Sequence, residues 1–184
     1  MPNQTTNQLK IEGSLDSLYK LQNFVKGEEQ CFSCNSILPM PKELEGTIKG
    51  SNPDKINDKE RRRELREKYG YDNWYDWQVA NWGVKWGVYS LDDEPLTWDN
   101  GENSLSVEFY SPWSPPFPVI ALLAKMYPEL RFTLDYFDEG WGYAGQTVWT
   151  NGMDITNGID HLNKNDMNRK AVAMGIVEFD DSEV

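Results

Sequence analysis

The chain has 184 residues, with 30 acidic and 18 basic side chains, a single His and two Cys, so Ser-His-Asp chemistry and four-ligand zinc sites are short of parts. Hydrophobic residues make up 39% and eight residues are Trp, which predicts one folded domain with an insertion rather than a disordered chain or two domains. The charge is uneven: residues 1–90 carry 13 acidic and 13 basic side chains, whereas residues 91–184 carry 17 acidic and 5 basic, so the net charge of -12 lies in the second half. An acidic field repels phosphate backbones and attracts basic partners.

Residues 7–12 alternate with Leu9 and Ile11 on one face and predict a strand. Leu15, Leu18, Leu21, Phe24 and Val25 follow at helical spacing before Gly27 and predict a helix over 15–26. Residues 30–45, with Pro39 and Pro41, predict an ordered loop ending in a helical turn. The charged run 59–68 contains one aliphatic residue, Leu65, and predicts a solvated helix ending at Gly70, whose Glu60, Glu64 and Glu67 neutralise the interleaved Arg and Lys. Asp72 is the expected cap of a second helix over 73–82.

Val84, Trp86 and Val88 alternate as a strand should, and Asp99-Asn100-Gly101 marks a turn. Leu105, Val107 and Phe109 predict a further strand. Pro115-Pro116 opens an apolar helix over 117–126, and Leu130, Phe132, Leu134 and Tyr136 give the clearest period-two strand of the chain. Residues 143–149 return as another strand, with the Gly-rich 140–145 as the turn before it. Residues 166–174 read as helical and 180–183 as an acidic tail.

Setting aside the segment 30–82 leaves strand, helix, strand, strand, helix, strand. This is the order of an α+β, ferredoxin-like split β-α-β sandwich with an antiparallel sheet, carrying a helical insertion between its first helix and second strand. The expected organisation is a domain over 1–150 with that insertion, then an extension over 151–184. Leu9, Ile11, Leu18, Leu21, Val107, Phe109, Ile120, Leu123, Phe132 and Leu134 are the expected core, with the two apolar helices on one face of the sheet.

Several motifs also carry a family likeness. Met1-Pro2-Asn3 followed by Asn7, Leu9, Ile11 and Gly13 is one, and ILPMPKEL at 37–44 is another. The others are YGYDNWYDWQVANWGVKW at 69–86, WSPPFPVIALL at 113–123 and YPELRFTLDYFDEGWGYAG at 127–145. Together they make the chain resemble the YubB-like and Api-like phage and plasmid proteins. The resemblance implies a ferredoxin-like domain and a mobile-element setting, without an activity. Gln4, Thr5 and Val84 depart from the family pattern, which has Trp, Cys and Thr there.

The candidate chemistry is sparse. Cys31 and Cys34 have zinc or dithiol spacing but lack further ligands and a nearby helix N-terminus, so they read as ordinary thiols. His161 has no motif around it. Asp135, Asp138 and Glu139 are the one carboxylate group close in sequence. Trp74, Trp77, Trp82 and Trp86 read as a cluster holding the insertion to the sandwich, with base or sugar stacking as the functional alternative. No catalytic residue, cofactor or metal site is expected. No stretch approaches the roughly 18 apolar residues of a membrane span, and the first residues carry no targeting signal. The expectation is therefore a non-catalytic cytoplasmic protein of a phage or mobile element that binds a host protein with a basic surface, perturbing a host defence in the sharpest version. Asp92, Asp93 and Glu94 form one acidic docking patch and Asp180, Asp181 and Glu183 a second. Direct nucleic-acid binding is disfavoured, and self-association is compatible with the sequence. The alternative class is a small-ligand or nucleotide-binding domain that uses the sheet face and the Trp cluster.

Overall fold

The structure is a computed structural model that describes residues 3–50, 58–91, 94–140, 142–156 and 164–177. Strand β1 (Gln4–Glu12) is central. It pairs antiparallel on one side with β3 (Ser104–Pro112) and on the other with β4 (Arg131–Asp138). The two-residue strand β2 (Asp99–Asn100) lies outside β3, and β5 (Tyr143–Thr150) and β6 (Met153–Asp154) extend the sheet beyond β4. The order β2-β3-β1-β4 is that of a ferredoxin-like sheet, with β5 and β6 added at one edge to give six strands.

Period-two burial sets the register. Leu9 stands between Val107 and Leu134, and Ile11 between Leu105 and Phe132, so a one-residue slip would send this whole apolar set to the opposite face. Helix α1 (Leu15–Val25) starts where the Ser14 hydroxyl accepts the Ser17 N–H at 3.2 Å, and it turns Leu18, Leu21 and Val25 inward. Helix α5 (Phe117–Met126) has Pro118 in its first turn and buries Val119, Ile120, Leu123 and Ala124. Both helices share one apolar cluster with the sheet, and Phe24 of α1 packs against Tyr127 just after α5. All ten expected core residues are at most 3% exposed, each of the larger ones contributing about 1.5–3 kcal/mol.

The connection between α1 and β2 holds α2 (Cys34–Ile37), a 3-10 turn (Lys42–Leu44), α3 (Asp58–Tyr69) and α4 (Trp74–Trp82). Leu65 is the buried apolar anchor of α3, and Tyr69 at its end packs partly buried against the same core. The rest of its attachment is ionic: the guanidinium groups of Arg62 and Arg66 lie 2.9 and 2.5 Å from the carboxylate of the buried Asp72. Lys68 pairs with Glu43 at 2.7 Å, which holds the Glu43 carboxyl down at about 2. Asp72 is thus not the cap of α4. Asn73 is, its side-chain oxygen accepting the Asp76 N–H at 2.9 Å, while Asp72 serves α3.

The expected strand through Val84, Trp86 and Val88 does not form. Trp86 and Gly87 both take left-handed backbone, at φ 49° and 83°, which ends any extended run. What remains is a single bridge between Tyr89 and Tyr110. The second strand of the sandwich is instead Asp99–Asn100, read from the sequence as a turn, so the connection from α1 runs over 26–98.

Helix α6 (Lys164–Ala173) lies against the other face of the sheet, where Lys170 pairs with Asp135 and the Gln8 amide donates to the Met174 carbonyl at 2.7 Å. Met167, Ala171 and Met174 are buried there. That face is therefore only partly open, and among the described residues no helix is long and apolar enough to cross a membrane.

Candidate functional site

Beyond the end of β3 and after α4 the surface carries three aromatic rings around one lysine. The ammonium of Lys85 lies 4.0 Å from the ring centre of Trp86, 5.4 Å from that of Trp113 and 5.9 Å from that of Tyr75. Lys49 adds a second ammonium 4.4 Å over Tyr75, while pairing with Asp76 at 2.9 Å. Among the described residues Lys85 has no carboxylate partner. Trp86 is 47% exposed and Trp113 37%, which is unusual for side chains that ordinarily bury most of their area.

The backbone sets this patch apart from incidental exposure. Among the described residues, Trp86 and Trp113 are two of the three non-glycine residues with positive φ, at 49° and 68°. For a bulky side chain this conformation costs on the order of 1–3 kcal/mol and persists only where the surroundings impose it. Each has such surroundings. The Trp86 N–H donates to the side-chain oxygen of Gln78 at 2.8 Å, and Gln78 is 7% exposed. The Trp113 N–H donates to the Asn3 carbonyl at 3.0 Å, and its own carbonyl accepts the Tyr143 hydroxyl at 3.0 Å.

Behind Trp113 a buried polar network continues. Thr5 Oγ1 lies 3.1 Å from the Tyr143 hydroxyl and donates to Asp138 at 2.9 Å. The Asn7 amide donates to Ser111 Oγ at 2.8 Å, Ser111 to the Ser114 carbonyl at 2.7 Å, and Ser114 to the Gly83 carbonyl at 2.8 Å. Burial pushes the Tyr143 hydroxyl up to about 12, so it stays protonated and keeps its donor role. The network ties the end of α4 to the end of β3, the two segments that present Trp86 and Trp113. Gly83 allows that approach: it takes φ 85°, and a Cβ there would lie 2.4 Å from Pro118 Cδ.

The four tryptophans expected as one structural cluster therefore divide. Trp77 and Trp82 are buried edge to face, 5.7 Å between ring centres, and Trp82 donates to the Leu38 carbonyl at 2.9 Å. Both belong to the buried core cluster, and Trp74 packs partly buried against that cluster. Trp86 does not, because its left-handed backbone turns it outward. Sequence reasoning missed Trp113 and Lys85, and the signal within reach was Trp113 beside Ser114-Pro115-Pro116, a place where a chain leaving a strand bends sharply.

The other candidates resolve in different ways. Of the acidic docking residues, Glu94 is exposed at a groove over the open sheet face, while Asp92, Asp93, Asp180, Asp181 and Glu183 lie outside the described residues, as does His161. Asp135 and Asp138 point to opposite faces of β4, Asp135 to Lys170 and Gln146 and Asp138 to Thr5, so that strand does not bring them to one site. Burial pushes the thiols up, Cys31 to about 11 and Cys34 to about 12, which leaves both poor nucleophiles. No group of three or more metal-ligating side chains converges among the described residues. The groove over the sheet face is lined by Gln8, Lys10, Ser106, Glu108 and Trp98, not by the aromatic cluster, so the two halves of the small-ligand alternative are separate places.

The family model described as the ferredoxin-like domain in Api92-like protein matches residues 82–176. Among solved structures, the chain is similar to the crystal structure of Api92 from Yersinia pseudotuberculosis, with a TM-score of 0.53 and 14% identity over 89% of this chain and 99% of that one. At that identity the likeness concerns the fold. No protein of curated function matches the chain. The match covers more than half of the sequence and the sheet order agrees with its description, so the chain belongs to the family of Api92-like proteins with a ferredoxin-like domain.

Proposed function

We propose that the protein is a non-catalytic accessory protein of a phage or other mobile element, acting in the host cytoplasm by docking onto a host protein through Tyr75, Trp86 and Trp113. One observation carries this reading: two exposed tryptophans are each held in a costly left-handed conformation by a buried polar side chain, Gln78 and Tyr143. Backbone strain of this kind accumulates where a surface is kept ready for contact. Tryptophan and tyrosine are also the residues that most often dominate interface energetics. Lys85, seated among the rings, supplies a polar contact at the centre, while the acidic second half supplies the long-range field that draws a partner with a basic surface. The resemblance to phage and plasmid proteins supplies the setting, and interference with a host defence is the role such a docking protein would serve.

The test is affinity capture from host lysate with the wild-type chain and with a Trp86→Ala, Trp113→Ala double variant. A specific captured protein should be lost with the variant. Both substitutions remove exposed rings, so the melting temperature should change little. If the variant captures the same protein equally well, the docking surface is elsewhere.

A further inference from the structure

Between α5 and the β5–β6 edge lies a cleft of about 590 Å³, inside the range of small-molecule sites. One wall is a line down α5: Phe117, Ala121 and Lys125 fall at i, i+4 and i+8, so they stack on one flank while Val119, Ile120 and Leu123 face the core. The other wall is Trp149 of β5, 3% exposed, and Met153 of β6, 64% exposed. The lining is mostly aromatic and aliphatic, with the buried Thr147 as a polar group within it and the exposed Lys125 and Asp154 as its two charges. These two charges are not equivalent. Asp154 already accepts the N–H and the hydroxyl of Thr156, both at 2.8 Å. Lys125 is exposed and makes no hydrogen bond or ion pair among the described residues.

We propose that this cleft is a binding site for a small amphipathic anion, an aromatic or branched apolar body bearing one carboxylate or sulfonate. The body would pack between Phe117 and Trp149 and the anion would pair with Lys125. An apolar wall beside one unpartnered ammonium favours this class over a nucleotide, whose phosphates need several donors, and over a neutral lipid, which would leave Lys125 without a role. The site is separate from the tryptophan docking patch and does not depend on it.

Two probes with nearly the same aromatic body test the assignment: anilinonaphthalene sulfonate, which is anionic, and phenylnaphthylamine, which is neutral. The sulfonate should bind the intact chain at one site, followed by fluorescence, and should shift the backbone amide resonances of Ala121, Trp149 and Gly152. Lys125→Glu should weaken the sulfonate by about tenfold, one favourable charge contact, and leave the neutral probe unchanged. Ala121→Trp, which fills the cleft, should weaken both. The Trp86→Ala, Trp113→Ala variant should weaken neither. Should Ala121→Trp fail to fold, the amide shifts of the wild-type chain decide the location. The proposal is overturned by resonance shifts elsewhere, by the absence of sulfonate binding, or by an equal response of both probes to Lys125→Glu.

Discussion

Trp82 is 4% exposed, meets Trp77 edge to face and gives its indole N–H to the Leu38 carbonyl. Removing it opens a large cavity in the core and leaves the part-buried Leu38 carbonyl without this donor. Trp82→Ala should therefore cost about 3–5 kcal/mol in urea denaturation. Trp86→Ala, four residues on, should cost far less, within about 1 kcal/mol, because Trp86 is 47% exposed and stands outside the buried core that holds Trp82. A comparable loss in both variants would mean that Trp86 belongs to the core after all. Glycine at position 86 would even relieve the positive φ, so Trp86→Gly is the variant to combine with a binding assay: gained or unchanged stability with lost binding would identify strain kept for contact.

At the scale of elements, β1 carries the architecture. Strands β3 and β4 each pair with β1 along its length and not with one another. The family match begins at residue 82 and so leaves out the strand in the middle of the sheet. A fragment covering 82–176 would hold β3 with β2 on one side and β4 with β5 on the other, with no ladder joining them. Its inner edges would be apolar and unpaired, a combination prone to aggregation. We expect that fragment to lack dispersed amide resonances and a cooperative unfolding transition. A well-dispersed spectrum would show instead that β3 and β4 can close on each other when β1 is absent.

For the whole molecule, charge and shape separate two kinds of contribution to binding. The net charge of -12 acts over the screening length, about 10 Å at 0.1 M salt, and so governs encounter rates; aromatic contact governs dissociation. The association rate with the captured partner should fall steeply with added salt. Neutralising Asp92, Asp93 and Glu94 together, and separately Asp180, Asp181 and Glu183, should lower that rate at low salt, whereas Trp113→Ala should raise the dissociation rate. An association rate indifferent to salt and to both triple substitutions would leave the acidic half a solubility device.

What the sequence determined by itself was whatever repeats locally. The period-two pattern of Leu9 and Ile11, of Val107 and Phe109, and of Phe132 and Leu134 predicted strands, faces and core, because alternation directly encodes which side of a pleated strand is buried. Helical spacing did the same for α1 and α5. Val84, Trp86 and Val88 show where a local pattern misleads: alternation was present, but Gln78 from the preceding helix captures the Trp86 N–H and imposes a left-handed turn. The candidate site was legible only in part. Trp86 was visible within its motif, but Trp113 is 27 residues further along the chain, and Lys85, Tyr75 and the two tryptophans converge only because β3 and α4 end at the same place, joined by the Ser114–Gly83 hydrogen bond. The cleft beside Lys125 was likewise invisible, since its walls come from a helix flank and a strand pair that no periodicity connects. Such convergence is decided by long-range packing, where each contact depends on the register of the entire sheet.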